Sequence, residues 1–351
     1  MASRSKSAGK AAKAGKKGPA QPPEKAAKAA KGVVAETSKG FRIRTYETPS
    51  AEFDARSASD RELLHYGLPT RPDAAAEPEL RQLWDTAFSR PHTWIVPEFI
   101  DVEGKAHGPA LKPRGVTPSV ARGAEPKGIA NATSSNWSGS VAFAPRGNTY
   151  RFVLGQWTVP EPYAPSFGSF YASEWVGIDG WGSNDVLQAG TETQITKVPI
   201  FGDFRSVYAW WEWFPAGEVA IGNLGVSAGD FMNCLICVNS TTSATIYFSN
   251  YSTNVSTTFT ITAPGTTTLV GNSAEWIVER PTVNGSVASL TDYDVVFFDA
   301  SIAGYSDGNS LGISSAGTST PVTMVGNNNA SLSVPTFATS QLFRMDWKAA
   351  T

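Results

Sequence analysis

From residue 131 onward the sequence consists of short apolar runs separated by clusters of Gly, Asn, Ser and Thr. The runs are rich in β-branched and aromatic residues and show no helical period; examples are TYRFVLGQWTV, ATIYFSN and DVVFFDASI. This pattern, sustained over roughly 220 residues, indicates antiparallel strands joined by turns rather than alternating strands and helices. We therefore expect an all-β sandwich or barrel over residues 131–351.

The first 40 residues differ completely in composition. They are mostly Lys, Ala, Gly and Pro, with no apolar stretch long enough for a signal-peptide core or a membrane span. A nucleic-acid-binding tail is the alternative interpretation, but no aromatic residue is interleaved with the lysines of this stretch. We predict a disordered arm over residues 1–40.

Residues 41–130 combine helical signals with a linker. Ser59 or Asp60 can cap a first helix, and a second is indicated by apolar residues at helical spacing from Leu80 to Phe88. The stretch 104–130 is rich in Pro and Gly and is predicted to be an extended linker.

Charge is distributed unevenly along the chain. From residue 130 onward there are seven basic and sixteen acidic residues, whereas the preceding part has 22 basic and 15 acidic residues. A basic front and an acidic back can attract each other across an intramolecular interface.

The distribution of His and Cys excludes several catalytic classes. The three histidines, His65, His92 and His107, all precede the β region, so we expect no His-dependent triad or His-ligated zinc site within it. The two cysteines, Cys234 and Cys237, lie in a strand-like run where they point to opposite faces, so we interpret them as apolar core residues. Carboxylates are left for acid-base chemistry.

Alternation along four predicted strands sorts these carboxylates by face. Each strand has a face that carries a polar group beside an aromatic, apolar or small residue, which is typical of a substrate groove. The four faces hold Glu275, Ile277 and Glu279; Trp210, Glu212 and Phe214; Val186, Gln188, Gly190 and Glu192; and Trp175, Gly177 and Asp179.

Five motifs of the β region resemble, in order and approximate spacing, those of the glutamic peptidases, also called eqolisins. They are SNWSG at 135–139, WVGIDG at 175–180, LQAGT at 187–191, AWWEWFP at 209–215 and AEWIVE at 274–279. The resemblance implies an acid endopeptidase with a lectin-like (concanavalin A-like) sandwich of two curved antiparallel sheets. In addition, ELLHYGLPTRPD resembles a propeptide-like segment that precedes bacterial members, which implies a zymogen.

The resemblance also implies roles for individual residues. The catalytic pair corresponds to Gln188 and Glu279, with Glu279 as general base and then acid for the attacking water and Gln188 as oxyanion stabiliser. The implied substrate cleft contains Trp137, Trp175, Asp179, Glu192, Trp210 and Glu212. Glu192 stands where the family carries an aspartate, which keeps a carboxylate but changes its reach.

These assignments lead to expectations about partners and location. We expect polypeptide substrates, no metal or cofactor, no nucleic-acid or membrane partner, and a monomer. The basic front segment is expected to inhibit the acidic cleft until acid weakens the docking and allows cleavage between Ala121 and Ser135. An acid protease is favoured to work outside the cell, although no classical signal peptide is visible.

Two other functions are compatible with a lectin-like sandwich. A glycoside hydrolase needs two carboxylates across a sugar groove, which Glu212 and Glu279 could supply. A carbohydrate-binding module would use the tryptophans for stacking and need no catalytic pair.

Overall fold

The computed structural model describes residues 34–37, 39–115, 132–264, 267–306 and 311–351. Its helices are α1 (Asp60–His65) and α2 (Pro78–Ala87), with a short 3-10 helix at Ala316–Thr318. Its strands are β1 (Val34–Glu36), β2 (Arg42–Thr45), β3 (Thr93–Trp94), β4 (Phe99–Asp101), β5 (Lys105–Ala106), β6 (Ala132–Ser134), β7 (Trp137–Phe143), β8 (Thr149–Thr158), β9 (Gly168–Ile178), β10 (Val186–Val198), β11 (Gly202–Phe214), β12 (Val219–Ile221), β13 (Phe231–Ser240), β14 (Ser243–Asn250), β15 (Val255–Thr262), β16 (Ser273–Glu279), β17 (Thr282–Val283), β18 (Ser286–Val287), β19 (Val295–Ser306), β20 (Leu311–Ser315), β21 (Thr320–Val325), β22 (Ser331–Phe337) and β23 (Phe343–Trp347).

The long strands form two antiparallel layers. One layer, which we call the front sheet, runs in the order β12, β11, β10, β9, β16, β7 and β21. The other, the back sheet, runs β20, β19, β8, β13, β14, β15 and β2. The prediction of an all-β antiparallel sandwich is confirmed.

A large apolar core fills the space between the two sheets. Alternate residues of the front sheet, such as Val176, Trp211 and Trp276, pack against Trp157 and Phe248 of the back sheet. Eight tryptophans have an exposed fraction of 1% or less, and aromatic side chains of this size contribute a large buried area. One face of each front-sheet strand is therefore buried in the core. The opposite face carries the polar groups of the predicted substrate groove.

The front segment packs against the outside of the back sheet. Helix α1 begins with the predicted cap, because the Ser59 hydroxyl accepts the Glu62 N–H and the Glu62 carboxylate accepts the Ser59 N–H. Leu63 of α1 and Trp84 of α2 are buried in a second apolar cluster with Tyr247 of the back sheet. Both predicted helices are confirmed.

Beyond α2 the chain passes from the back sheet to the front sheet. Strand β3 pairs with β15, β4 then pairs with β12 at the edge of the front sheet, and β5 pairs with β17. The first part of the predicted linker is thus a bound, extended chain, and residues 116–131 lie outside the described residues.

Some predictions about the front segment fall partly outside the description. Residues 1–33 are not described, so the disorder of the arm stays a prediction, while Val34–Glu36 at its end pairs with β2. Most of the predicted cleavage interval from Ala121 to Ser135 is likewise outside the description; its last part contains β6, which pairs with β21. In the parts of the chain that are described, no helix is both long and apolar enough to cross a membrane.

The two cysteines occupy the positions expected from strand alternation. Cys234 and Cys237 are both on β13 and both are free thiols. Cys234 is in the core between the sheets, whereas Cys237 packs against the cluster under the helices, so the two side chains lie on opposite faces. Burial raises the pKa of Cys237 to about 12, so its thiol stays protonated at neutral pH.

Candidate active site

The register of the front sheet brings the four predicted polar faces into one surface. Gln188 of β10 lies opposite Glu212 of β11 on one side and Gly177 of β9 on the other. Gly177 in turn lies opposite Glu275 of β16. Because directly opposed residues of antiparallel strands share a face, the predicted pair and its neighbours line the same side of the sheet.

Two glycines make room for a tryptophan on this face. A Cβ atom at Gly190 would lie 2.5 Å from the Cβ atom of Trp175, and one at Gly177 would lie 2.8 Å from the Trp175 ring. Both distances are too short for any side chain. The glycines of the LQAGT and WVGIDG motifs thus let the Trp175 indole lie flat across the sheet.

Glu279 ends β16 and is held by donors from two motifs. The Trp175 Nε1–H donates to Glu279 Oε2 at 3.0 Å, and the Asn136 side-chain amide donates to Oε1 at 3.1 Å. Burial raises the pKa of Glu279 above 4.5, and His107, Asn136 and Trp175 act in the opposite direction. The carboxylate is therefore fixed in orientation and able to take up a proton.

Gln188 and Glu212 bind the backbone of the front segment. The Gln188 side-chain amide donates to the His107 carbonyl oxygen, while the His107 N–H donates to Glu212 Oε2 at 2.8 Å. Burial raises the pKa of Glu212 to about 8. One residue of extended chain is thus held at its N–H by a carboxyl group and at its C=O by the predicted oxyanion donor.

The His107 side chain fills the space between the predicted catalytic pair and a further glutamate, Glu218. Its imidazole stacks on Trp210, with ring centroids 3.8 Å apart and planes 10° apart. Nε2 donates to Glu218 Oε2 at 2.9 Å, and Nδ1 lies 3.7 Å from Glu279 Oε2. Burial alone would lower the pKa of His107, but Glu218 and Glu279 outweigh it and raise the pKa to about 10.

Lys105 makes a second contact from the front segment. Its Nζ donates to Glu192 Oε1 at 2.9 Å and to the Tyr208 hydroxyl at 2.8 Å, and it lies over the rings of Tyr171 and Tyr208. Ser173 donates to the other Glu192 oxygen. Glu192, the residue that departs from the family pattern, therefore binds a cation in this cleft.

Two predicted cleft residues are used differently. The Asp179 carboxylate accepts three backbone N–H groups, from Val270, Gly271 and Asn272, at 2.8–2.9 Å, and so holds a loop in place. Trp137 packs edge-on against Trp175, with ring centroids 4.9 Å apart, and supports it from behind. Within the described part of the chain, neither side chain hydrogen-bonds to Gln188 or Glu279.

Several residues of the site were missed from the sequence. Lys105 and His107 lie in the stretch that the sequence predicts to be a linker, and Glu218 follows the AWWEWFP motif without belonging to it. Asn136 is part of the quoted SNWSG motif, so the signal for it was present. Because His107 precedes the β region, the sequence predicts no histidine in the cleft, yet the fold brings His107 to its centre.

The cluster also offers atoms that could ligate a metal. One atom each of His107, Glu192 and Glu218 lie within 4.8 Å of one another. The ammonium group of Lys105 is in the same cluster and repels a metal cation. We assign no metal to the cluster, because Lys105 and His107 already balance its carboxylates.

A buried carboxyl group inside the sandwich leads to a stability prediction. Glu174 is fully buried, accepts the Thr191 hydroxyl at 2.9 Å, and has its pKa raised well above 4.5 by burial. Above about pH 4.5 the unfolded chain loses this proton while the folded chain keeps it, so the stabilisation is complete below that pH and is lost as the pH rises toward the folded pKa.

We therefore expect the melting temperature to fall between about pH 4 and pH 7, and Glu174→Gln to reduce this fall by at least about 2 °C. Circular dichroism melts across this range measure it. Glu52→Gln, at an exposed position, is the matched control and should leave the slope unchanged. Equal slopes for Glu174→Gln and the wild type would contradict the prediction.

Comparison with known proteins identifies the family. Residues 135–343 match the model of the Peptidase A4 family. Aspergillopepsin-2 of Aspergillus niger is 30% identical over 203 residues, which cover 52% of this chain and 68% of that protein. Scytalidopepsin B of Scytalidium lignicola is 27% identical over 190 residues, with the same two coverages of 52% and 68%.

Solved structures of two glutamic peptidases are also similar. Scytalido-glutamic peptidase with a transition state analog inhibitor has a TM-score of 0.48 and 20% identity, covering 61% of this chain and 98% of that one. Aspergilloglutamic peptidase from Aspergillus niger has a TM-score of 0.44 and 24% identity, covering 51% and 99%. Since the family model spans more than half of the residues, the chain belongs to the Peptidase A4 (eqolisin) family and is a glutamic-type endopeptidase.

Proposed function

We propose that this protein is an acid endopeptidase in which Glu279 and Gln188 act as a catalytic dyad. The observation that carries the proposal is the way the cleft binds an extended chain. The Gln188 amide donates to a peptide carbonyl in the same cleft as the Glu279 carboxylate. Peptide hydrolysis needs a polarised carbonyl and a base for water, and this pair supplies both.

In the proposed reaction the water oxygen bonds to the scissile carbonyl carbon while Glu279 takes the water proton. Gln188 stabilises the resulting oxyanion by donating from Nε2, and a glutamine keeps this donor at any pH. The carbon–nitrogen bond then breaks, and Glu279 delivers the proton to the departing amine. Glu212 holds the peptide by the N–H group on the other side of the same residue.

The cleft is proposed to take polypeptide substrates and, before activation, the protein's own front segment. Residues 105–111 cross the cleft in extended form, and the Ala110 and Leu111 N–H groups donate to Gly180 O and Asn136 Oδ1. A substrate cannot occupy these positions at the same time. The front segment is therefore proposed as an inhibitor in the intact chain.

We expect casein digestion in mildly acidic solution, because the base is a carboxylate and no histidine is used for catalysis, and we expect the rate to fall again in stronger acid, where Glu279 becomes protonated. The test is to incubate the full chain with casein from about pH 3 to about pH 8 and to follow the release of soluble peptides. Activity confined to neutral pH would contradict the proposal.

A glycanase assay on the same preparation tests the alternative. A glycoside hydrolase built on Glu212 and Glu279 uses two carboxyl groups, and its mechanism does not require Gln188. We expect no sugar release. In addition, the hydrogen bond from a peptide N–H to Glu212 supports a peptide-binding role for this carboxyl group.

A further inference from the structure

The groove side of the front sheet continues well past Gln188 toward the end of the β10–β11 hairpin. Gln188, Glu192 and Thr196 alternate with the core residues of β10, so they lie on one face of the sheet. Thr196 is eight residues beyond Gln188 in β10, which at 3.3 Å per residue is about 26 Å along the strand. Glu192, where Lys105 is bound, lies halfway, so the outer half of this face is a separate surface.

This outer surface is open to solvent and partly apolar. It consists of Gln194 and Thr196 of β10 with their opposite residues in β11, Ser206 and Phe204, and we call these four residues the hairpin face. Phe204 has an exposed fraction of 59%. Three further apolar residues at the same end of the sheet are more than half exposed: Phe167, Ile200 and Phe201. Neighbouring exposed apolar side chains of this size mark an interaction surface.

The hairpin face carries no ionisable side chain. The charged residues of the same hairpin end, Lys197, Asp203 and Arg205, alternate with those of the hairpin face and therefore lie on the other side of the sheet. There Arg205 is 3.2 Å from Glu161 and 3.5 Å from Asp203. An uncharged surface of amide, hydroxyl and aromatic groups suits an uncharged stretch of polypeptide, with its backbone polar groups and apolar side chains.

The chain that already occupies the cleft indicates how such a polypeptide would reach the hairpin face. Lys105 Nζ lies 5.2 Å from the centre of the Tyr171 ring, and Tyr171 is directly opposite Gln194 of the hairpin face. Lys105 precedes His107, whose carbonyl accepts from Gln188. The part of a bound chain that is N-terminal to the carbonyl on Gln188 is therefore directed toward the hairpin face.

We propose that the hairpin face is a second binding site for substrate, which holds an extended, apolar stretch of polypeptide about eight residues N-terminal to the bond that is cleaved. The inference rests on the proposed function and narrows the substrate class to long, unfolded chains. Such chains can occupy the cleft and the hairpin face together, because both lie on the same strands. A short peptide that ends before the hairpin face gains nothing from it.

The first test compares two fluorogenic peptides with the same cleavable core, using the acid-activated wild type. One peptide ends about four residues before the cleaved bond, and the other has about eight more residues at its N-terminus, including Phe and Leu. We expect the extended peptide to have a KM about three- to tenfold lower with a similar kcat, because the added contacts are equal in the ground and transition states.

The control peptide carries the same extension at its C-terminus. It should behave like the short peptide, because that end of the chain is directed away from the hairpin face. Equal KM values for the short and the N-terminally extended peptide would overturn the inference, and so would an equal gain from an extension at either end.

The second test changes the surface itself. Phe204→Ser is expected to raise KM for the extended peptide about three- to tenfold and to leave both constants for the short peptide unchanged. Arg205→Ser, at the next residue but on the opposite face, and Phe297→Ser, at a phenylalanine of the back sheet that is 45% exposed, are the matched controls. Both should keep the wild-type KM. No effect of Phe204→Ser, or an equal effect of Arg205→Ser, would overturn the inference.

A second copy of this chain is the other occupant that an exposed apolar surface can have. Sedimentation velocity of the wild type and Phe204→Ser at the concentration of the assay separates the two cases. We expect both proteins to be monomers. A wild-type dimer that Phe204→Ser dissociates would overturn the inference, because the hairpin face would then be a contact between copies.

The two levels of the account fail differently. If the wild type cleaves the short peptide in acid but Phe204→Ser changes nothing, the second site is wrong and the dyad stands. If the wild type cleaves neither peptide at any pH, the proposed function fails and the second site fails with it.

Discussion

Glu279→Gln is expected to lower kcat for peptide hydrolysis by a factor of about 10² to 10⁴, the usual contribution of a positioned general base. The substitution keeps the size of the side chain and an oxygen that can accept the Trp175 indole N–H, now 3.0 Å from Glu279 Oε2. It removes the proposed acceptor of the proton from water. The measurement is the initial rate of cleavage of a fluorogenic peptide by the acid-activated chain.

Glu275→Gln is the matched control for this experiment. Glu275 is on the same strand and the same face as Glu279 and is fully buried, so the chemical change and the burial are alike. It is opposite Gly177, and among the described residues no hydrogen bond joins its carboxyl group to the front segment. We expect activity near that of the wild type, and a loss equal to that of Glu279→Gln would show that any buried glutamate of this face has the same effect.

Gln188→Ala is expected to lower kcat by a factor of about 10² to 10³, with a smaller change in KM. This is the size of effect seen when one oxyanion donor is removed, because such a donor acts mainly in the transition state. Steady-state kinetics with the same peptide separate the two constants. A variant that retains wild-type kcat would mean that the carbonyl contact of Gln188 has no part in the reaction.

Gln156→Ala controls for the loss of a buried glutamine. Gln156 is on β8, in the back sheet, and donates to Asn233 at 3.0 Å. Its removal leaves an unpaired buried partner and lowers stability without touching the cleft. Normal kcat in Gln156→Ala, together with a large loss in Gln188→Ala, assigns the loss to the position of the amide.

The composition of the groove could be predicted because strand alternation is a local property. Once the runs around Gln188, Glu212 and Glu279 are taken as strands, the face on which each side chain lies is fixed. The order of these strands in the sheet is not local, so alternation does not predict it, and the structure supplies it. The structure then adds the register, with Gln188 directly opposite Glu212.

The contacts of the front segment could not be predicted in the same way. The hydrogen bond between Lys105 and Glu192 joins residues 87 positions apart, and that between His107 and Glu218 joins residues 111 apart. The opposite net charges of the two halves indicate that they attract each other. Net charge does not predict which residues make the contacts. A Pro- and Gly-rich composition is typical both of an extended inhibitory segment and of a free linker, so it does not distinguish the two.

Asp179 shows that strand alternation does not always predict where a carboxylate points. Alternation placed it on the groove face, but the chain leaves β9 after Ile178, and Asp179 has a positive φ of 72°. Its carboxylate turns to the N–H groups of residues 270–272 instead. A short acceptor at the end of a strand is often used in this way to hold a turn.

The central claim is that Glu279 and Gln188 act together on one transition state, and the double variant Gln188→Ala/Glu279→Gln tests it most directly. Residues that work as a unit show strongly non-additive losses, because the second substitution removes what the first has already made ineffective. The account predicts that kcat/KM of the double variant falls within about tenfold of the worse single variant. Losses that multiply, as for two independent sites, would contradict it.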